Sequence, residues 1–202
     1  MRWTESIIAY FCANNMLMNK QNKFGFIIAA ILVLAAAISR VIMYPDNFSP
    51  IIGMAIFSGA ILHDKRLAFA LPLFAMLLSD IMFEAFSIAP GFWGWGQLVG
   101  YGILALITIL AFNLKKINIR NVLAFSIMSS ILFYLLSNLS FFVIDNPVYH
   151  TYTQDTNGFI QCYVQALPFL RTSLVADLVY SGILFGAYYA INNILIKKRA
   201  IA

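Results

Sequence analysis

Five long stretches of this chain are apolar and carry only three charged side chains between them. They run from Phe24 to Met43, Leu67 to about Phe83, Gly96 to Leu114, Asn121 to about Ile144 and Thr172 to Ile196, and the charges are Arg40, Asp80 and Asp177. About 20 such residues make a helix that crosses a hydrocarbon core roughly 30 Å thick. A soluble domain would carry roughly a quarter charged residues, whereas this chain of 202 residues has 10%. The expected class is an all-α integral membrane protein, with no length left for a separate soluble domain. A sixth apolar run, Pro50 to Leu62, is shorter and reaches only about 20 Å at 1.5 Å per residue. It must start below the outer surface, with Tyr44 to Ser49 folded over it, or be tilted with a broken start. Non-helical backbone at that depth is tolerated only inside protein or against a water-filled cavity, so this connection is a candidate pocket wall.

The basic residues orient the bundle. With six spans and both termini cytoplasmic, the inner segments hold Arg2, Lys20, Lys23, Lys65, Arg66, Lys115, Lys116, Arg120, Lys197, Lys198 and Arg199, leaving Arg40 and Arg171 of the 13 Lys and Arg residues. Cytoplasmic loops carry such an excess. The net charge of +5 is thereby accounted for by topology, and nucleic acid is not an expected partner. A single six-span membrane domain is expected over residues 23–199, in a bacterial inner membrane. Residues 1–22 read as a disordered or spurious N-terminal extension, because Met1 to Leu17 has no cleavage site and is too short to span.

Conventional catalysis finds little footing. His63 falls in a cytoplasmic turn and His150 in an outer loop, and HExxH, CxxC and Walker-type patterns are absent. Neither Cys12 nor Cys162 has a zinc-like companion. The chain is expected not to be an enzyme and to need no cofactor or metal.

The intramembrane charges are the principal functional lead, since a charge in hydrocarbon is costly unless paired or facing water. Counting about 1.5 Å per helical residue puts Arg40 about 24 Å, Asp80 about 20 Å and Asn138 about 26 Å above the inner surface. Asp177, entering from outside, lies near 22 Å on the same count. Arg171 and Glu84 would cap this layer at the interface. Arg171 and Asp177 are six apart, on different helix faces, so each is expected to find its partner on another helix. Two Arg–Asp pairs would serve equally to clamp helices together, and Arg40 or Arg171 would reach interfacial water by snorkelling.

The outer connections add aromatic and polar material. The third, APGFWGWGQLVGYG, sets Trp93 and Trp95 among glycines; the rings would form an interfacial belt or a lid stacking on a planar ligand. Gly96 and Gly100, four apart, suit close helix packing. The fifth, Asp145 to Arg171, begins polar and continues as an amphipathic interfacial segment with Phe159, Ala166 and Leu170 at helical spacing, which Pro168 is expected to break before the last span.

Arg40 with Pro45-Asp46-Asn47-Phe48-Ser49-Pro50-Ile51, then Leu77-Leu78-Ser79-Asp80, then Leu167-Pro168-Phe169-Leu170-Arg171-Thr172-Ser173-Leu174 with Asp177 and Tyr180, resemble a bacterial membrane family of unknown function. In size, six spans, inward termini and outer loops over a pocket, the chain is also similar to the substrate-binding S components of energy-coupling-factor vitamin transporters. That second likeness implies a six-helix bundle that captures a vitamin or related metabolite from outside and docks on a membrane coupling subunit driven by two cytoplasmic ATPases. Members dock through small residues four apart on the first helix, a spacing that Ala35 and Ser39 have. The expectation is a small-molecule-binding transport subunit in which Arg40, Asp80, Arg171 and Asp177 form the base of an outward pocket, Asn47 and Asn138 add hydrogen bonds, and Trp93 or Trp95 closes it. The alternatives are a non-transporting scaffold and a proton-linked carrier.

Overall fold

In a computed structural model the described residues are 24–42, 48–92 and 94–201, with side chains described as far as residue 194. The expectations for residues 1–22, Asn47 and Trp93 lie outside them. Helix α1 is Phe24–Ile42, α2 Ile51–Ile61, α3 Lys65–Ala85, α4 Trp95–Ala111 and α5 Ile119–Ser140. A wider π turn, Phe141–Asp145, carries α5 into the short α6, Asn146–Tyr149, and α7 runs Thr156–Ile201. Among the described residues there is no strand.

Four rods are long and apolar enough to cross a membrane: α1, α3, the continuous run from Ile119 to Tyr149, and α7 over Thr156–Ile194; α2 and α4 are shorter apolar helices. The faces of α1 show why a bilayer is the solvent. Ala29, Val33, Ala36 and Ala37 are buried, while Ile27, Ile31 and Ile38 on the opposite side are exposed. A helix in water would place polar residues there; apolar residues on both sides are stable when the outer side meets acyl chains. Phe74, Leu106, Met128 and Ile183 extend the same exposure to α3, α4, α5 and α7.

The short α2 is the axis of the molecule. Every residue from Ile52 to Gly59 is buried, and the helix packs against α3, α4, α5 and α7. Apolar on all sides and about 16 Å long, it is shorter than a roughly 30 Å hydrocarbon core and lies among longer helices. Small residues let it sit this close: a Cβ on Gly59 would lie 2.6 Å from the Thr108 carbonyl oxygen and 2.7 Å from the Ala111 Cβ.

Polar caps mark the turns. Asp64 accepts from the Arg66 amide at 2.9 Å at the start of α3, and Asn118 accepts from the Asn121 amide at 2.8 Å at the start of α5. Asp155 starts α7, accepting from the Gly158 amide at 2.8 Å and the Thr153 hydroxyl at 2.7 Å. Those bonds, the Gly158 one foremost, hold the Asp155 carboxyl below the usual carboxylate range. The buried Asn146 closes the loop between α6 and α7, accepting from the Tyr152 amide at 2.7 Å and donating to the Tyr152 carbonyl at 3.0 Å.

The expected break at Pro168 does not occur: α7 is one helix of 46 residues, with the proline inside it. Its stretch before the proline is pinned along α5. The Tyr134 hydroxyl donates to the Tyr163 carbonyl at 2.6 Å and the Tyr163 hydroxyl to the Leu135 carbonyl at 2.8 Å, while Phe142 meets Phe159 edge to face at 5.3 Å. With both sides of the proline held by a neighbouring helix, an apolar segment tolerates the lost hydrogen bond. Thr172 also donates its hydroxyl to the Pro168 carbonyl at 3.3 Å.

Candidate functional site

Arg40 and Asp80, from α1 and α3, meet as the sequence predicts. The Arg40 Nη1 donates to Asp80 Oδ1 at 2.5 Å and to the Ser79 hydroxyl at 2.6 Å. The carboxylate is almost wholly enclosed, at 3% exposure, against 18% for the arginine side chain. Its other oxygen, Oδ2, accepts from Gln97 Nε2 at 2.9 Å and from the Tyr101 hydroxyl at 2.7 Å. Gln97 and Tyr101 are four apart on α4, so one helix face delivers both. The guanidinium carbon lies 4.8 Å from the centroid of the Phe83 ring, one turn beyond Ser79, where a cation is attracted to the ring face.

The loop between α3 and α4 seals this cluster. Gln97 Nε2 also donates to the Gly91 carbonyl at 2.8 Å, and the Gly91 amide donates to Glu84 at 3.0 Å. Gly91 lies so close to α3 that a Cβ would collide with the Asp80 carbonyl oxygen. Glycine is thus required for the loop to close over the aspartate. Glu84 reaches the cluster through this backbone amide.

One residue before Arg40, Ser39 ties α1 to α7. Its hydroxyl donates to the Ala36 carbonyl at 2.7 Å and lies 2.9 Å from the Tyr180 hydroxyl. The Tyr180 ring packs on Phe48 with centroids 5.7 Å apart, and Gly53 of α2 lies against it.

Asp177, one turn before Tyr180, has a different environment. It is 1% exposed, and its Oδ2 lies 2.6 Å from the Ser130 hydroxyl of α5. One turn away, Ser126 and Ser181 pair across the same interface at 2.9 Å. Its partner is therefore on another helix, as expected, but is a hydroxyl and not a guanidinium. Among the described residues, Arg40–Asp80 is the one ion pair.

The remaining expected members stand apart from this cluster. Arg171 is exposed, and Trp95 is 73% exposed at the first turn of α4. Asn138 is half-buried and donates to the Tyr134 carbonyl of its own helix at 2.8 Å. Ser79, Gln97, Tyr101 and Ser130 are the functional candidates that the sequence does not single out. Uncharged polar residues are common in such helices, and only the four-residue spacing of Gln97 and Tyr101 hints at a shared face.

The cluster is an enclosed carboxylate fully engaged by three side chains, with an arginine beside it that is still partly open. Both hydrogen bonds of the guanidinium leave from Nη1; among the described residues Nε and Nη2 have no hydrogen-bond partner. Such an arrangement presents a fixed positive edge able to take a carboxylate, phosphate or carbonyl oxygen from a small molecule.

Residues 20–199 match the model of a family described as a family of unknown function, DUF6580. No curated protein and no solved structure matches the chain.

Proposed function

The chain belongs to the DUF6580 family, and we propose that it is a small-molecule-binding membrane protein, the substrate-binding subunit of an uptake system. In this reading it is a six-span protein of a bacterial inner membrane, α2 and α4 being the two short spans. Both termini are cytoplasmic, an orientation supported by the gathering of lysine at one set of turns. The solute enters from the outer side and meets Arg40, with Asp80, Ser79, Gln97 and Tyr101 holding the guanidinium and its counter-charge in place. Energy for transport comes from partners, a membrane coupling subunit with cytoplasmic ATPases, or from an ion gradient.

The observation that carries this reading is the state of Arg40. A residue serving only as a clamp would bury its guanidinium and use its donors within the protein. Arg40 is instead fixed through one nitrogen and by the Phe83 ring while part of its side chain stays open. Orientation by a rigid neighbour is what makes a charged donor selective. The competing reading, a scaffold protein whose ion pair only joins α1 to α3, is favoured by the complete engagement of both Asp80 oxygens.

Native mass spectrometry of the gently solubilised protein separates the two. The binding reading predicts a co-purifying small molecule on the wild-type chain that is absent from a folded Arg40→Gln variant. A wild-type chain that carries no small molecule, with Arg40→Gln lowering only thermal stability, would establish the scaffold.

A further inference from the structure

The buried Asp177 carboxyl meets a serine hydroxyl where an ionised carboxylate would be expected to meet a cation. Ser130 is within hydrogen-bond distance of two oxygens, the Ser126 main-chain carbonyl at 2.9 Å and Asp177 Oδ2 at 2.6 Å. A serine hydroxyl has one proton. The carbonyl has none to give, and a serine in an apolar helix donates to the carbonyl four residues back. If its proton stays with the carbonyl, Ser130 accepts from a protonated Asp177; if the proton goes to the carboxylate, the carbonyl loses that bond. The neighbouring hydroxyls share protons in the same way, with Ser126 2.9 Å from both the Val122 carbonyl and the Ser181 hydroxyl.

The surroundings agree with a neutral acid. Helix α2, packed against α7, has no titratable side chain between Ile51 and Ile61, and α5 has only Tyr134 between Arg120 and Ser140. From α1 the nearest charge is Arg40, beside the Ser39 that meets Tyr180, and its described hydrogen bonds go to Ser79 and Asp80. On α7 itself Arg171 is exposed. No cation meets Asp177 among the described residues, and a buried unpaired carboxylate takes up a proton.

We propose that Asp177 sits in the membrane as the neutral acid donating to Ser130, and that it is a reversible proton-binding site, separate from the Arg40 cluster, through which the protein couples solute movement to protons. Loss of the proton to water leaves the carboxylate accepting from Ser130, which gives up the Ser126 carbonyl. The contact between α5 and α7 survives with its donor reversed, at the cost of one hydrogen bond within α5. Protonation is thereby linked to the packing of these two helices. The coupling role rests on the transport reading above; the proton site does not.

Infrared difference spectroscopy of the full-length protein in lipid nanodiscs tests the site directly. The expected result is a protonated-carboxyl carbonyl band at neutral pH that is missing from Asp177→Asn, shifted in Ser130→Ala and reversibly bleached as pH rises. A neutral-pH spectrum unchanged by Asp177→Asn would overturn the proposal. So would a band that persists at every pH the fold survives, or one bleached by sodium chloride at constant pH, which would assign the site to a sodium ion. Should Asp177→Asn fail to accumulate, Ser130→Ala and the wild-type titration decide alone. Because the band reports a proton and not a solute, its absence leaves the Arg40 reading standing, and failure of that reading leaves this one standing.

Discussion

Asp80 concentrates the polar energetics of the outer cluster. Its two oxygens accept from Arg40, Gln97 and Tyr101 at once, so removing it takes a partner from all three and leaves the guanidinium without its counter-charge. Breaking a buried pair by deleting one partner costs about 3–5 kcal/mol, because the other charge is left uncompensated. Asp80→Ala should therefore lose about that much in a reversible unfolding measurement in bicelles, whereas Trp95→Ala, at an exposed ring, should leave stability within about 0.5 kcal/mol of wild type. Equal effects would mean that the cluster is not a unit. At this scale, Arg40 and Asp80 were legible because a charge inside an apolar run stands out by itself. Gln97, Tyr101 and Ser130 were not, since their importance depends on which helices adjoin, and nothing local encodes that. Arg171 was over-read: its place at the edge of the last apolar run fits an exposed residue equally well.

Among the elements, α2 and α7 are the informative ones. The brevity of α2 was readable from the thirteen residues between Pro50 and Leu62; its place at the axis was not, because an apolar helix reads alike against lipid and against protein. Gly59 gives the central position a test. A methyl there meets the Thr108 backbone, which cannot rotate away, and overpacking of this kind costs roughly 1–3 kcal/mol. Gly59→Ala should lower the thermal midpoint clearly, while Gly182→Ala, where nothing lies within 4 Å of the added carbon, should not; the reverse order would displace α2 from the axis. For α7, the sequence cue at Pro168 was misleading because the decisive contacts come from α5, far away in the chain. Its true start is Asp155, whose carboxyl is held below the ordinary range by the Gly158 amide and the Thr153 hydroxyl. A depressed value in the folded state means that the cap contributes fully above the ordinary carboxylate range and fades as pH falls through the lowered one. Amide exchange at Gly158, corrected for its intrinsic pH dependence, should lose protection on acidification and at neutral pH in Asp155→Ala, but keep most of it in Asp155→Asn. Protection indifferent to both changes would remove the cap.

For the molecule as a whole, helical class and membrane character follow from two features: apolar runs of spanning length, and exposed apolar faces on the helices they form. The runs were legible in the sequence, and the helix limits fall within a few residues of them except where α5 continues into α6 and α7 runs on through its proline. The polar interior proved divided where depth counting implied one layer. Arithmetic along separate helices fixes height and leaves azimuth free, so side chains at one level were grouped together although Asp80 looks toward α1 and α4 and Asp177 toward α5. One polar cluster holds Arg40 against Asp80, and the other sets Asp177 against Ser130; the first is proposed to take a solute and the second a proton. Solute binding requires Arg40 to serve a ligand beyond its bond to Asp80. Exchanging the two, Arg40→Asp with Asp80→Arg in one chain, keeps an ion pair between α1 and α3 but moves the open guanidinium to the other helix. Native mass spectrometry of that double variant should show a folded protein that has lost the small molecule carried by the wild type; a folded double variant still carrying it would rule out Arg40 as the ligand-binding group.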